Sequence, residues 1–132
     1  MTEFPRKDYI RYRLQRADET LNASHLLLQN NFANSAVNRL YYACFYAVNA
    51  LLVSEGIKAH THAGVKTQLF LHFVKTNRLS SDSGKLYAKL FTARQRTDYD
   101  DFYDFDRQTV ATLYDQSEAF IKEIKHLMGF QE

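Results

Sequence analysis

Four side chains in the stretch 34–55, NSAVNRLYYACFYAVNALLVSE, could do chemistry: Arg39, Tyr42, Tyr46 and Asn49. Their spacing of three, four and three puts them on one stripe of a helix, with Asn38 one turn from Tyr42. Around that stripe the helix is apolar. Val37, Leu40, Cys44, Ala47 and Leu51 form one seam, and Tyr41, Phe45, Val48 and Leu52 form a second beside it. A helix with two apolar faces belongs at the centre of a bundle. Polar groups on such a helix are costly unless paired, so either another part of the protein or a ligand must answer them.

A second set of reactive side chains lies in Ala93-Arg94-Gln95-Arg96-Thr97-Asp98-Tyr99, which runs into the acid–aromatic stretch DYDDFYDFD at 98–106. A guanidinium such as that of Arg94 can hold a phosphate through two parallel hydrogen bonds. The alternative for Arg39 and Arg94 is a structural ion pair with Asp98 or a neighbouring carboxylate, supported by Tyr42. Asp98 is the expected bridge between the two arginines. Tyr99 and Tyr103 could stack on bases or serve as a packing plug. His60 and His62 form an H-x-H pair, but a transition metal needs a third ligand, and only Glu55 is near in sequence. A hydrogen bond at a helix start is the simpler role for Thr61 or His62. A calcium loop starting at Asp98 would need Gly at Tyr103 and Glu at Thr109, and has neither. No Gly-rich phosphate loop, nucleophile elbow or HExxH is present. The sequence therefore calls for no metal and no cofactor.

Five helical segments must position these groups. The first runs from about Lys7 to Gln29, with Ile10, Leu14, Ala17, Leu21 and Leu28 on its seam. Asn30 and Asn31 make the turn into the central helix, which Gly56 terminates. A third helix spans roughly Ala63 to Asn77. Ser80, Ser81, Asp82 and Ser83 offer caps for a fourth, carrying Leu86, Tyr87, Leu90, Phe91 and Ala93. DYDDFYDFD reads as a connecting loop or frayed helix end. Asp106 caps the last helix, about Arg107 to Met128, whose inward row is Val110, Leu113, Ser117, Phe120, Ile124 and Leu127, with Gly129 as terminator. The expected fold is all-α: an up-and-down bundle of four main helices plus a short additional one, forming a single domain over 1–132.

Composition agrees. At 132 residues with nine Tyr and ten Phe, the chain has ample material for a core, and four Gly and one Pro are too few for a β architecture. Cys44 sits among apolar neighbours and reads as a buried, inert thiol. No apolar leader or membrane-length run is visible, so the expected location is cytoplasmic. The net charge of +2 announces no nucleic-acid binder by itself. Arg6, Lys7, Arg11, Arg13 and Arg16 crowd the first helix, where they could track phosphates or form an ordinary solvated face.

Asn38-Arg39-Leu40-Tyr41-Tyr42-Ala43, His62-Ala63-Gly64-Val65 and Ala93 to Tyr99, in this order within one helical chain, resemble the HEPN domain, in particular its stand-alone prokaryotic branch. The resemblance implies a homodimeric bundle of four long helices and a short one. Many members are metal-independent RNases whose motif separates an Arg from a following His by four to six intervening residues, at a cleft between subunits. Such domains often accompany a minimal nucleotidyltransferase antitoxin.

This chain departs from the motif. The window after Arg94 holds Tyr99, Asp100 and Asp101; counting from Arg96 it holds Asp101, Phe102 and Tyr103, and no His occurs between His72 and His126. Histidine exchanges protons near its pKa of about 6.5, whereas an exposed aspartate near about 3.9 is a poor acid at neutral pH. Binding survives that substitution better than catalysis. The sequence thus points to RNA or nucleotide binding by Arg39, Tyr42, Arg94, Asp98 and Tyr99, without efficient RNase activity. Two other readings remain: an interaction module for dimerisation or docking of a nucleotidyltransferase, and an atypical metal-independent RNase toxin.

Overall fold

The computed structural model describes residues 3–99 and 104–130. Five α-helices occupy almost all of them: α1 Glu3–Gln29, α2 Ala33–Ser54, α3 His62–Leu69, α4 Ser81–Tyr99 and α5 Arg107–Leu127. No strand occurs among the described residues. The fold is the expected helical bundle, with α1, α2, α4 and α5 as long members and α3 as the short one.

α2 is its axis. It packs on α1, α3, α4 and α5, and its first seam, from Val37 through Leu51, is wholly buried. On the second seam Tyr41, Val48 and Leu52 are buried, while Phe45 is half-exposed. Ser24 of α1 ties the pair together by donating to the Ala36 carbonyl at 2.8 Å. Asn31 takes the left-handed conformation at φ 68°, and Gly56 does so at φ 70°, which closes the turns at the two ends of α2 as anticipated. α1 starts four residues earlier than expected. Pro5 falls in its first turn, where a missing N–H breaks no helical hydrogen bond.

The third segment is not one continuous α-helix. Thr61 caps it by accepting from Gly64 N at 2.8 Å, but after Leu69 it widens into a π turn, Phe70–Val74. The widening leaves Phe73 fully buried and seats Phe70 and Val74 on Gly84 of α4. A Cβ at position 84 would lie 3.0 Å from Val74 Cγ1 and 3.1 Å from Val74 Cγ2. Alanine gains about 1 kcal/mol of helix propensity over glycine, and overpacking costs about 1–3 kcal/mol. Gly84→Ala is therefore expected to be destabilising by about 1 kcal/mol in urea unfolding. A raised midpoint would mean that Val74 swings aside freely.

α4 borrows its N-terminal anchor from α5. Ser80 Oγ accepts from Ser83 N at 3.1 Å, as the serine cluster suggested. The Glu123 carboxylate then accepts from Ser80 N at 2.8 Å, Ser80 Oγ at 3.0 Å and Ser83 Oγ at 2.6 Å. Partial burial works against that charge, but the serine hydrogen bonds outweigh it and hold Glu123 below the usual carboxylate range. At the start of α5, Asp106 accepts from Thr109 N at 3.0 Å, and Gly129 closes its end at φ 86°. Within the acid–aromatic stretch, Asp98 and Tyr99 still belong to α4 and 104–106 are non-helical. Asp101 and Tyr103 lie outside the described residues.

Candidate functional site: a guanidinium cleft between α2 and α4

α2 and α4 face each other at their polar positions because both turn their apolar rows toward the core. On α2 these positions are Asn38, Arg39 and Tyr42, and on α4 Arg94, Thr97 and Asp98. The Asp98 carboxylate links the two helices. Its Oδ2 lies 3.5 Å from Arg94 Nη1, and its Oδ1 accepts from Asn38 Nδ2 at 3.1 Å. Asn38 Oδ1 in turn accepts from Arg39 Nη2 at 2.9 Å. The two arginines are thus joined through a carboxylate and an amide, one residue more than the single Asp98 bridge anticipated. A hollow of about 380 Å³ opens beside Asn38, Arg39, Thr97 and Asp98.

Arg94 is held tightly but bonded poorly. Its side chain is only 12% exposed, its guanidinium carbon sits 5.2 Å from the centre of the Tyr41 ring, and Nη1 reaches the Tyr42 hydroxyl at 3.4 Å. Charge-assisted bonds of this kind are ordinarily about 2.7–2.9 Å. Its Nε–H is buried with no acceptor. Burial opposes the charge, yet the Tyr42 hydrogen bond and the electrostatic influence of Tyr42, Tyr41 and Asp98 outweigh it, so Arg94 stays ionised. Arg39 lies over the Tyr42 face at 4.7 Å. Four of the five anticipated residues come together. Tyr99 is 81% exposed at the end of α4 and takes no part in building the cluster.

The residue that sequence reasoning left out of the site is His62. Its Nδ1 lies 2.7 Å from the Tyr41 hydroxyl, its ring is 4.5 Å from that of Phe45, and it meets Tyr42 edge-on at 5.8 Å. His62 thus joins the aromatic wall behind Arg94 instead of pairing with His60. Tyr41, pushed up to about 12 by burial, remains a neutral hydroxyl. Burial first, then Arg94, lowers the His62 pKa, and Asp98 opposes them. Titratable groups face this ring from two helices: Tyr41 and Tyr42 on α2, and Arg94 and Asp98 on α4. A folded-state pKa below the unfolded value of about 6.5 means that the unfolded chain takes the proton first as pH falls. The stabilisation is complete above about pH 6.5 and is lost on acidification towards the folded pKa. Urea midpoints should fall between pH 7.5 and 5.5, and less so in His62→Gln, which keeps a hydrogen-bonding partner for Tyr41. Equal slopes would remove His62 from this account.

Other candidates are already explained. A larger hollow of about 520 Å³ runs between α4 and α5 past Asp82, Lys85 and Lys89, and the Glu123 carboxylate that lines it is committed to the α4 cap. Cys44 is buried, and burial pushes its thiol up to about 12, which fits an inert side chain.

A helical bundle whose second and fourth helices present this Arg–Tyr–Asp cluster matches the HEPN domain over residues 10–127, and the chain belongs to that family. It is 38% identical over 119 residues to a UPF0332 protein of Thermotoga maritima, with 90% of each chain covered. It is 30% identical over 112 residues to a Methanocaldococcus jannaschii protein named "Putative toxin MJ0142", covering 85% of this chain and 76% of that one. A second protein of that organism, "Putative toxin MJ0605", is 29% identical over 119 residues, covering 90% and 88%. Among the described residues no helix is long and apolar enough to cross a membrane.

Proposed function

We propose that this chain is a toxin–antitoxin-related, cytoplasmic HEPN protein that binds RNA or a nucleotide through phosphate at the α2–α4 cleft. In this reading it acts as a homodimer without efficient RNase activity. The observation that carries the reading is the under-bonded Arg94: a nearly buried guanidinium whose contacts are 3.4 and 3.5 Å long and whose Nε–H has no acceptor. Such a group is satisfied better by a phosphate oxygen than by the partners it has. Arg39 and Arg94 would neutralise the phosphate, Tyr42 would supply a hydroxyl and Tyr99 a stacking face. Asp98 holds the arginines in register and gives way to the incoming anion. Aspartates in place of the motif His are weak proton donors at neutral pH, which leaves binding without efficient cleavage.

One observation favours the interaction module as a second reading. Tyr42, Phe45, Tyr46 and Phe91 are only partly covered and form an aromatic face continuous with the core. A partner protein, such as a nucleotidyltransferase antitoxin, could cover it. The two readings part in a titration of mononucleotides and single-stranded RNA at about 50 and 200 mM salt. Phosphate binding predicts affinity that falls with salt as counterions are released. No binding at either salt leaves the interaction module.

Asp98→Asn sharpens the test. The carboxylate is 34% exposed and its contact with Arg94 is long, so the substitution is expected to cost less than about 1 kcal/mol of stability. Removing the competing negative charge should strengthen nucleotide binding several-fold. Weakened binding in a folded Asp98→Asn protein would contradict the anion-exchange role.

A further inference from the structure

The basic residues of α1 do not all form a separate solvated face. Arg13 and Arg16 turn onto α2 and extend the cleft. The Arg13 guanidinium lies 5.4 Å from the Tyr46 ring centre and 5.1 Å from that of Tyr9, and its Nε donates to the Tyr9 hydroxyl at 2.9 Å. Arg16 lies 5.8 Å from the Tyr46 ring centre. Its 3.7 Å contact with Glu19 joins two side chains that are 43% and 52% exposed, so that pair holds it only loosely. Tyr46 is one helical turn from Tyr42, with ring centres 6.2 Å apart. Cations and aromatic rings are therefore interleaved along one continuous stripe, from Arg94, Tyr42 and Arg39, through Tyr46, to Arg13, Arg16 and Tyr9.

A single phosphate needs only the cleft. A run of cations interleaved with aromatic rings is instead suited to a flexible polyanion whose units carry both a charge and a π face, because each ring accepts a base and each cation a phosphate. The seven steps from Arg39 to Tyr46 rise about 10 Å along α2, and α1 carries the series further, beyond the reach of one nucleotide. We propose that the stripe is the track of a single-stranded RNA. One phosphate lies at Arg39 and Arg94, the following phosphates lie at Arg13 and Arg16, and bases rest against Tyr46 and Tyr9. This rests on the phosphate-binding reading of the cleft and specifies the ligand as a chain instead of a mononucleotide.

The test compares AMP with oligoadenylates of two to eight nucleotides, titrated against the full chain at several salt concentrations. For the parent, affinity should climb with length over the first three or four nucleotides and then level off. The Arg13→Gln/Arg16→Gln protein should bind AMP as the parent does, yet bind the octamer roughly tenfold or more weakly. Its salt slope should be shallower by about 1.4, the value for two fewer phosphate contacts on a single strand. Tyr46→Leu, which keeps apolar bulk, should also lose oligomer affinity without losing AMP. Circular dichroism establishes that each variant is folded. If the double variant does not fold, Arg16→Gln alone carries the test, with half the change in slope. Octamer binding no tighter than AMP binding, or unaltered by these substitutions, overturns the track. So does a poly-glutamate peptide that binds as tightly as the octamer, because the stripe would then be an acidic-protein surface. Failure of the parent to bind AMP or any oligomer overturns the cleft reading itself, a result distinct from a missing length dependence.

Discussion

An Arg94→Ala protein is expected to bind a mononucleotide about 10–100-fold more weakly than the parent while remaining folded. Hydrogen bonds to a charged group contribute about 1.5–3 kcal/mol, which corresponds to roughly that range in affinity. The structural loss is smaller. Arg94 lies over the Tyr41 ring at 5.2 Å, and its contact with Asp98 is long, so neither interaction is a main support of the bundle. Arg94→Lys should recover little, because an ammonium is a point charge without the planar fork that fits two phosphate oxygens. Isothermal titration of the three proteins, with near-ultraviolet circular dichroism as a check on packing, decides the matter. Unchanged affinity in a folded Arg94→Ala protein would remove Arg94 from the proposed phosphate site.

The largest loss of stability is expected at Phe120. Its side chain is almost fully buried on α5 and stacks on Tyr87 of α4, with ring centres 5.8 Å apart and planes 23° from parallel. Truncation to alanine leaves a cavity where the two helices meet, and buried Phe→Ala changes cost about 3–5 kcal/mol. That is a large share of the roughly 5–15 kcal/mol typical of a folded domain. The urea midpoint should fall steeply with an unchanged slope. A loss below about 1 kcal/mol would mean that α5 packs on α4 more loosely than these distances imply.

Much of the bundle is legible before folding because burial writes itself as periodicity. The double seam of α2 and the single seam of α1 give their buried faces directly. Ile121 escapes that reading: α5 buries a strip wider than the one row through Phe120 and Ile124, and a single row does not reveal the width. The π turn at 70–74 escapes as well. Val65, Leu69 and Phe73 keep a helical spacing, and the widened segment is set against Gly84 of a later helix, a contact that no local spacing records.

The same division runs through the site. Arg94 and Asp98 lie four apart on one helix, so their pairing is readable. Asn38 between Asp98 and Arg39 depends on how α2 and α4 are set against each other, which no local spacing records. His62 depends on Tyr41, 21 residues earlier, and the turn of Arg13 and Arg16 onto Tyr46 depends on the register of α1 against α2.

The carboxylate that closes the first turn of α4 has a consequence for the order of events during synthesis. Ser83 and Glu123 are 40 positions apart. A chain emerging from its N-terminus can assemble α1 on α2 early, since they are neighbours in sequence. The helix that carries Arg94 has the Ser80 cap from the outset, but gains its second anchor only when residue 123 is present. The cleft between α2 and α4 therefore gains its full support late, after α1 and α2 can already have buried part of the core.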